Sequence, residues 1–360
     1  MTNRTFASFG VLSCLLFPQG FGSYTAAQDD DMHLRVNVVL VQLNVAVTDS
    51  KGNYVTGLRP EDFTIAEDKI PQKISTFEES NDPDQSSKEI SRGRQATSSQ
   101  ITPSGNSPGD SRTTTSLTIP HLSEASLFVL FDTSNYMYRN FVYAQDAIVD
   151  FIRSMDSSSR LAFYSYSRDL SRMTALTQDK YRVVSGVRST VAGDDAALYN
   201  SLLLTVKDSV PLRGRKAIVV FSNGPDNASS VPPEDVAELA QSTGTIIYIV
   251  STRQAQDDPI SAAAFERVSK GSGGKAYFAK NWSQEKDAFA SIREDLVHLY
   301  TLSYYPQPNP NRGWRSIKVK LVGKDLQKYH IRTRDGYRLL PVTVGPSNET
   351  PTPTADAGTN

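Results

Sequence analysis

The sequence has almost no cysteine, few histidines, little net charge and, past its first residues, no long apolar run. Each shortage removes a class of protein. Cys14 is the only cysteine among 360 residues, so disulfides within the chain cannot be what stabilises it. The four histidines, His33, His121, His298 and His330, stand singly, which leaves neither a zinc set nor a general base beside a placed nucleophile. A Gly-x-Ser-x-Gly elbow is also missing. The formal charge of -1 gives no global attraction for nucleic acid, and none is expected as a partner. With a mean hydropathy of -0.38 and no later apolar run of ~18 residues, the pattern is not that of a multispan membrane protein.

What is present begins with a leader. Arg4, an apolar run from Phe6 to Phe17 and the small residues Thr25-Ala26-Ala27 have the basic, apolar and small order of a secretory signal over 1–27. Cleavage after Ala27 would remove Cys14 and leave no transmembrane span; the run is short for an uncleaved anchor in a hydrocarbon core of ~30 Å. The expectation is an exported protein, periplasmic or extracellular.

From Arg35 to Thr48 apolar residues alternate, with Val39, Leu43, Val45 and Val47 on one face of a strand that ends at Asp49-Ser50-Lys51-Gly52-Asn53. Tyr54-Val55, Phe63 to Ala66 and Lys73 to Phe77 read as further short strands, with Asp68-Lys69-Ile70-Pro71 as a turn. Between Glu79 and Pro120 there is no aromatic residue, and this Ser, Thr, Gly and Pro-rich stretch reads as a disordered linker over 79–120.

From Ser126 to about Tyr300 strand-like and helix-like segments alternate, which predicts an α/β unit: a doubly wound, mainly parallel sheet between helices. Strands are expected at Ser126–Asp132, Leu161–Tyr166, Lys216–Ser222, Thr245–Val250 and Lys275–Ala279. Helices are expected after Phe141, at Tyr181–Val187, Ala197–Val210 and Ser261–Ser269, after Pro232-Pro233-Glu234, and through Phe289, Ile292, Leu296 and Leu299. Gly271-Ser272-Gly273-Gly274 precedes a strand and reads as a turn rather than a phosphate loop. Beyond Tyr304, Ile317, Val319 and Leu321 alternate with Lys318 and Lys320, and Tyr329, Ile331 and Thr333 with His330, Arg332 and Arg334. These strands need partners, so the segments 28–78 and 301–340 are expected to combine into one β-sandwich. The tail 341–360 reads as disordered.

Two sets of residues resemble a known family. Val47-Thr48-Asp49, Gly52, Val55 to Leu58, Glu61-Asp62-Phe63, Glu67-Asp68 and Gln72 to Phe77 are similar to the opening of the bacterial von Willebrand factor A-related domain family; the likeness resumes at Tyr300 to Tyr304 and Arg334 to Tyr337. Asp132-Thr133-Ser134 after an apolar strand resembles the first loop of a type A metal site, which implies a von Willebrand factor type A-like domain over 121–300, of a kind that can hold Mg²⁺ or Mn²⁺. Such a cation needs near-octahedral oxygen ligands. Here Tyr136 stands in place of the second serine, Ala196 in place of the ligand threonine, and Asn223 in place of the second carboxylate. The implied remnant set is Asp132, Ser134, Asp195 (or Asp194) and Asn223, with Tyr136 and Asp226 on a partner-binding rim. Asp132 has a second reading as a helix cap or loop acceptor.

The resemblance implies a non-catalytic protein–protein interaction or assembly module with a protein partner and no cofactor. The alternatives are a Mg²⁺-dependent adhesion protein with a remodelled site and an enzyme or enzyme-associated subunit. Nine Lys or Arg against Asp325 and Asp335 between Thr301 and Leu340 could contact an anionic envelope polymer or face water as a solvated strand surface.

Overall fold

The computed structural model describes residues 40–80, 125–251 and 258–339. The leader, residues 28–39 of the first β segment with Arg35 and Val39, most of the linker and the tail lie outside the described residues.

The longest apolar runs form the centre of a six-stranded sheet ordered β10-β9-β8-β5-β6-β7. Its strands are β5 (Ser126–Asp132), β6 (Arg160–Tyr166), β7 (Leu170–Thr177), β8 (Lys216–Ser222), β9 (Thr245–Ser251) and β10 (Ala276–Phe278). All pairings are parallel except that of β6 with β7. Every residue of β5, β8 and β9 is buried, as expected of strands covered on both faces.

Successive residues of β5 serve opposite faces. Val129 and Phe131 join helices α1 (Phe141–Ser154), α2 (Lys180–Arg188) and α6 (Trp282–Val297) on one side. Phe128 and Leu130 join α3 (Leu198–Ser209), α4 (Pro233–Thr243) and α5 (Pro259–Gly271) on the other. In α1, Ala144, Ile148, Phe151 and Ile152, spaced three or four apart on one face, are buried. Asp179, Asp258 and Asn281 accept backbone N–H groups at the starts of α2, α5 and α6. Gly271 to Gly274 connects α5 to β10. A Cβ on Gly274 would stand 2.0 Å from the Ile247 carbonyl oxygen, so close backbone approach accounts for that glycine.

The two ends of the described chain build a second core from two antiparallel four-stranded sheets. One has the order β13-β1-β11-β4, from β13 (His330–Arg332), β1 (Val41–Thr48), β11 (Tyr300–Tyr304) and β4 (Ile74–Glu79). The other is β14-β12-β2-β3, from β14 (Gly336–Arg338), β12 (Trp314–Leu321), β2 (Phe63–Glu67) and β3 (Ile70–Gln72). Val41, Leu43, Val45, Phe63, Phe77, Leu302 and Ile317 fill the space between them, so the expected sandwich of N- and C-terminal segments is what forms. Glu67 is fully buried there, accepting from Arg315 at 2.9 Å, Tyr304 at 2.8 Å and Tyr337 at 2.9 Å.

Three local expectations are corrected. Tyr54-Val55 is not a strand: Tyr54 makes one isolated bridge with Thr48, because the turn at Gly52 returns the chain for a single pair only. The turn before β3 is Asp68-Lys69 alone, both at positive φ, while Ile70 and Pro71 belong to the edge strand β3, where a missing N–H costs little. Arg332 and Arg334 do not face water. Arg332 pairs with the buried Asp295 of α6, and Arg334 donates to the carbonyls of Gln241 in α4 and Gln42 in β1. Asp295 also accepts from the Tyr54 and Tyr248 hydroxyls, at 2.9 and 2.5 Å. The outer face of the first sandwich sheet is therefore bound to the α/β layers, and Ala46 of β1 packs within their core.

Candidate functional site

The site starts where β5 stops. The parallel register sets Asp132 beside Tyr166, the last residue of β6, while Phe131 stands beside Phe221 in β8. That brings Asp132, Tyr166 and Ser222 to one end of the sheet. Asp132 Oδ1 accepts the Ser134 N–H at 2.9 Å, and Oδ2 accepts the Ser222 hydroxyl at 2.8 Å. Ser222 Oγ in turn accepts the Tyr166 hydroxyl at 3.1 Å and the Gly224 N–H at 3.3 Å. Thr133 donates to the Tyr166 carbonyl at 2.9 Å.

This network is closed to water. Asp132, Ser222 and Asn223 are each 1% exposed and Ser134 is fully buried. Burial pushes the Asp132 carboxyl above its ordinary pKa, opposed by donors from Ser134 and Ser222. The Tyr166 phenol is raised for the same reason, and by the negative charge of Asp132.

Tyr136, Ala196 and Asn223 hold the loops in this form. Asn223 donates its side-chain amide to the Tyr136 carbonyl, a bond a carboxylate could not make. Ala196 is fully buried in the apolar cluster that also contains Tyr166, and half-buried Tyr136 packs against that cluster. Ala196 is held through its backbone: its N–H donates to Asn227 Oδ1 at 2.8 Å, and its carbonyl accepts from Asn227 and Ala228.

Asp195 and Asp226 have other partners. The Asp195 carboxylate takes Arg168 and the Asn227 amide. Asp226 accepts the Tyr199 N–H at 3.0 Å and those of Ala228 and Ser229 at 3.2 and 2.8 Å, satisfying a donor of the first turn of α3. Asp194 contributes a backbone carbonyl to Asn135. Thus Asp132, Ser134 and Asn223 come together, with Tyr136 joined to Asn223. The carboxylates of Asp195 and Asp226 serve loop structure.

The donor set does not fit a hard divalent cation. Both Asp132 oxygens and the Ser222 hydroxyl are engaged, Ala196 supplies no side-chain oxygen, and Asn223 turns a donor to Tyr136. The buried Ser134 Oγ alone has no hydrogen-bond partner. Among the described residues no group of three or more His, Cys, Asp or Glu is placed to hold a metal ion, and near-octahedral coordination needs several open oxygens.

The profile described as von Willebrand factor type A domain matches residues 126–291. Residues 126–291 are a von Willebrand factor type A domain. The match spans β5 through most of α6, so the sandwich lies outside it. No curated protein matches the chain. Similar solved structures include BatB from Bacteroides thetaiotaomicron, at 13% identity over 48% of this chain and 98% of that one, with a TM-score of 0.40. The von Willebrand factor type A protein from Catenulispora acidiphila is 10% identical over 59% and 66%, at 0.42. The vWF domain of the type V pili tip protein Mfa5 from Porphyromonas gingivalis is 11% identical over 48% and 94%, at 0.41. Likeness at this distance assigns no residue a role.

Three participants in the type A site were not singled out from sequence. Ser222 read only as the end of a buried strand, next to Asn223. Tyr166 carried a weak signal, as a polar-tipped residue ending a buried strand in register with Asp132. Asn227 carried none, since its amide reaches Ala196 across 31 positions.

Proposed function

We propose that the chain is an exported, non-catalytic protein–protein interaction or assembly module whose type A domain carries a degenerate metal site and binds its partner without a cation. The single observation behind this reading is the Asn223 amide bonded to the Tyr136 carbonyl: a neutral side chain closes the loops where a second carboxylate would be needed to attract Mg²⁺ or Mn²⁺. The surface nearby suits a protein partner. Tyr138, Val142, Tyr143 and Val191 are 61–79% exposed, and Thr190, beside Val191, is bonded to Gln145 of α1 at 2.8 Å. Exposed aromatic and aliphatic groups gathered on one end mark interaction surfaces more often than isolated ones do.

Export rests on the leader-like residues 1–27. Among the described residues no helix is long and apolar enough to cross a membrane. Four of the nine basic residues after Thr301 bind within the chain, namely Arg315, Arg332, Arg334 and Arg338. Arg312, Lys318, Lys320, Lys324 and Lys328 stay exposed and are the groups open to an anionic envelope polymer.

Affinity capture from the native envelope tests the proposal. Partners retained by the wild-type chain should persist in EDTA and disappear with Tyr138→Asp/Val142→Asp, at unchanged thermal stability. Capture that collapses on chelation and returns with Mg²⁺ would instead establish the adhesion reading.

A further inference from the structure

Two buried cations at the junction of the sandwich and the type A domain lack counter-charges. Lys216, which opens β8, is 8% exposed and has no hydrogen bond or ion pair among the described residues. Arg334 is 6% exposed; its Nη groups reach the carbonyls of Gln241 and Gln42, while its buried Nε has no acceptor. They are neighbours. Lys216 stands beside Thr245 in the β8–β9 register, and Arg334 Nη1 lies 3.6 Å from where a Cβ of the preceding Gly244 would be. Burial and then Arg334 push the Lys216 pKa down to about 8, and burial pushes Arg334 down to about 10. The carboxylate that acts on Arg334, Glu67, is already held by Arg315, Tyr304 and Tyr337.

The sandwich face turned toward them is polar. Ala46 packs into the type A core, so Asn44 faces the same way. Ser303 is directly opposite Gln42 and belongs to the same face. Asn44 Oδ1 and Ser303 Oγ are buried without a partner. Protein interiors seldom leave neighbouring charges and hydroxyls in this state unless a further component completes them.

We propose that a small inorganic oxyanion of phosphate or sulfate size binds between Lys216 and Arg334, with the Ser303 hydroxyl as a further donor. It neutralises the paired cations and fastens the sandwich to the type A domain. Its charge and several acceptor oxygens suit an ammonium, a guanidinium Nε–H and a hydroxyl together, whereas water offers no compensating charge.

The test is thermal unfolding of the full chain at pH 7 in phosphate, sulfate or chloride at matched ionic strength. Wild type is compared with Lys216→Met and with Lys320→Met, an exposed control. Wild type and Lys320→Met should gain Tm with the logarithm of oxyanion concentration, and Lys216→Met should respond as it does to chloride. Equal stabilisation of all three proteins would be general salt exclusion and would overturn the proposal, leaving water in the junction. If Lys216→Met does not fold, calorimetric titration of phosphate into wild type decides: saturable one-site heat supports the site, and no heat refutes it.

Discussion

Replacing Asp295 with alanine removes the acceptor on which the junction converges. The residue is fully buried, and its carboxylate receives Arg332 from β13, the Tyr54 hydroxyl and the Tyr248 hydroxyl. Burial alone would lower the Arg332 pKa; the charge of Asp295 more than reverses this. Deleting one member of a buried ion pair costs about 3–5 kcal/mol, and a stranded buried hydroxyl costs about 1–3 kcal/mol. Because three donors share one carboxylate the terms overlap, and the expected loss is about 4–6 kcal/mol. Urea unfolding reads it directly. Trp282 lies in α6 and Trp314 in β12, so single-tryptophan chains follow the type A domain and the sandwich separately. Wild type should give coincident transitions; Asp295→Ala should lower both midpoints. Against an Arg332→Met background the same substitution should cost about 1–3 kcal/mol less. A loss below about 1 kcal/mol, or strict additivity of the two changes, would refute the reasoning.

Two further outcomes are expected. Tyr136→Ser, Ala196→Thr and Asn223→Asp together should create Mg²⁺ binding measurable by calorimetry, since they return two hydroxyls and a carboxylate beside the unpartnered Ser134 Oγ; a folded triple variant that gives no heat would show that the loop correspondence is wrong. Lys216 ties stability to alkaline pH. Its folded pKa of about 8 lies below the ordinary 10.5, so between these values the unfolded chain holds more protons and stability rises with pH. Measured against Lys216→Met, wild type should be at its relative worst below pH 8 and improve toward pH 10.5; parallel curves would mean that the lysine is not desolvated as placed.

The amino-acid sequence is most legible where a residue's role depends on near neighbours. The strand Lys216–Ser222 could be read to the residue, and the one that opens at Ser126 could be placed, because an unbroken apolar run bounded by polar groups has few other uses in a chain of this kind. The helix that opens after Pro232-Pro233-Glu234 and the alternation of Ile317, Val319 and Leu321 are local in the same sense. Tyr54-Val55 pairs only once with β1, and two apolar residues after a turn do not reveal how far pairing continues.

The sequence by itself determined the α/β alternation and the need of both terminal β segments for partners. Tertiary structure alone decided what Tyr136, Ala196 and Asn223 touch. Asn223 meets the Tyr136 carbonyl 87 positions away, Ser222 meets Asp132 across 90, and Glu67 meets Arg315 across 248. Arg332 and Arg334 read as solvent-facing on a basic strand because a period of two distinguishes the faces of a strand without saying what covers either one. Helices α4 and α6 cover that face, and so a run that looked open to an outside partner divides into arginines that bind the domains together and lysines that stay exposed.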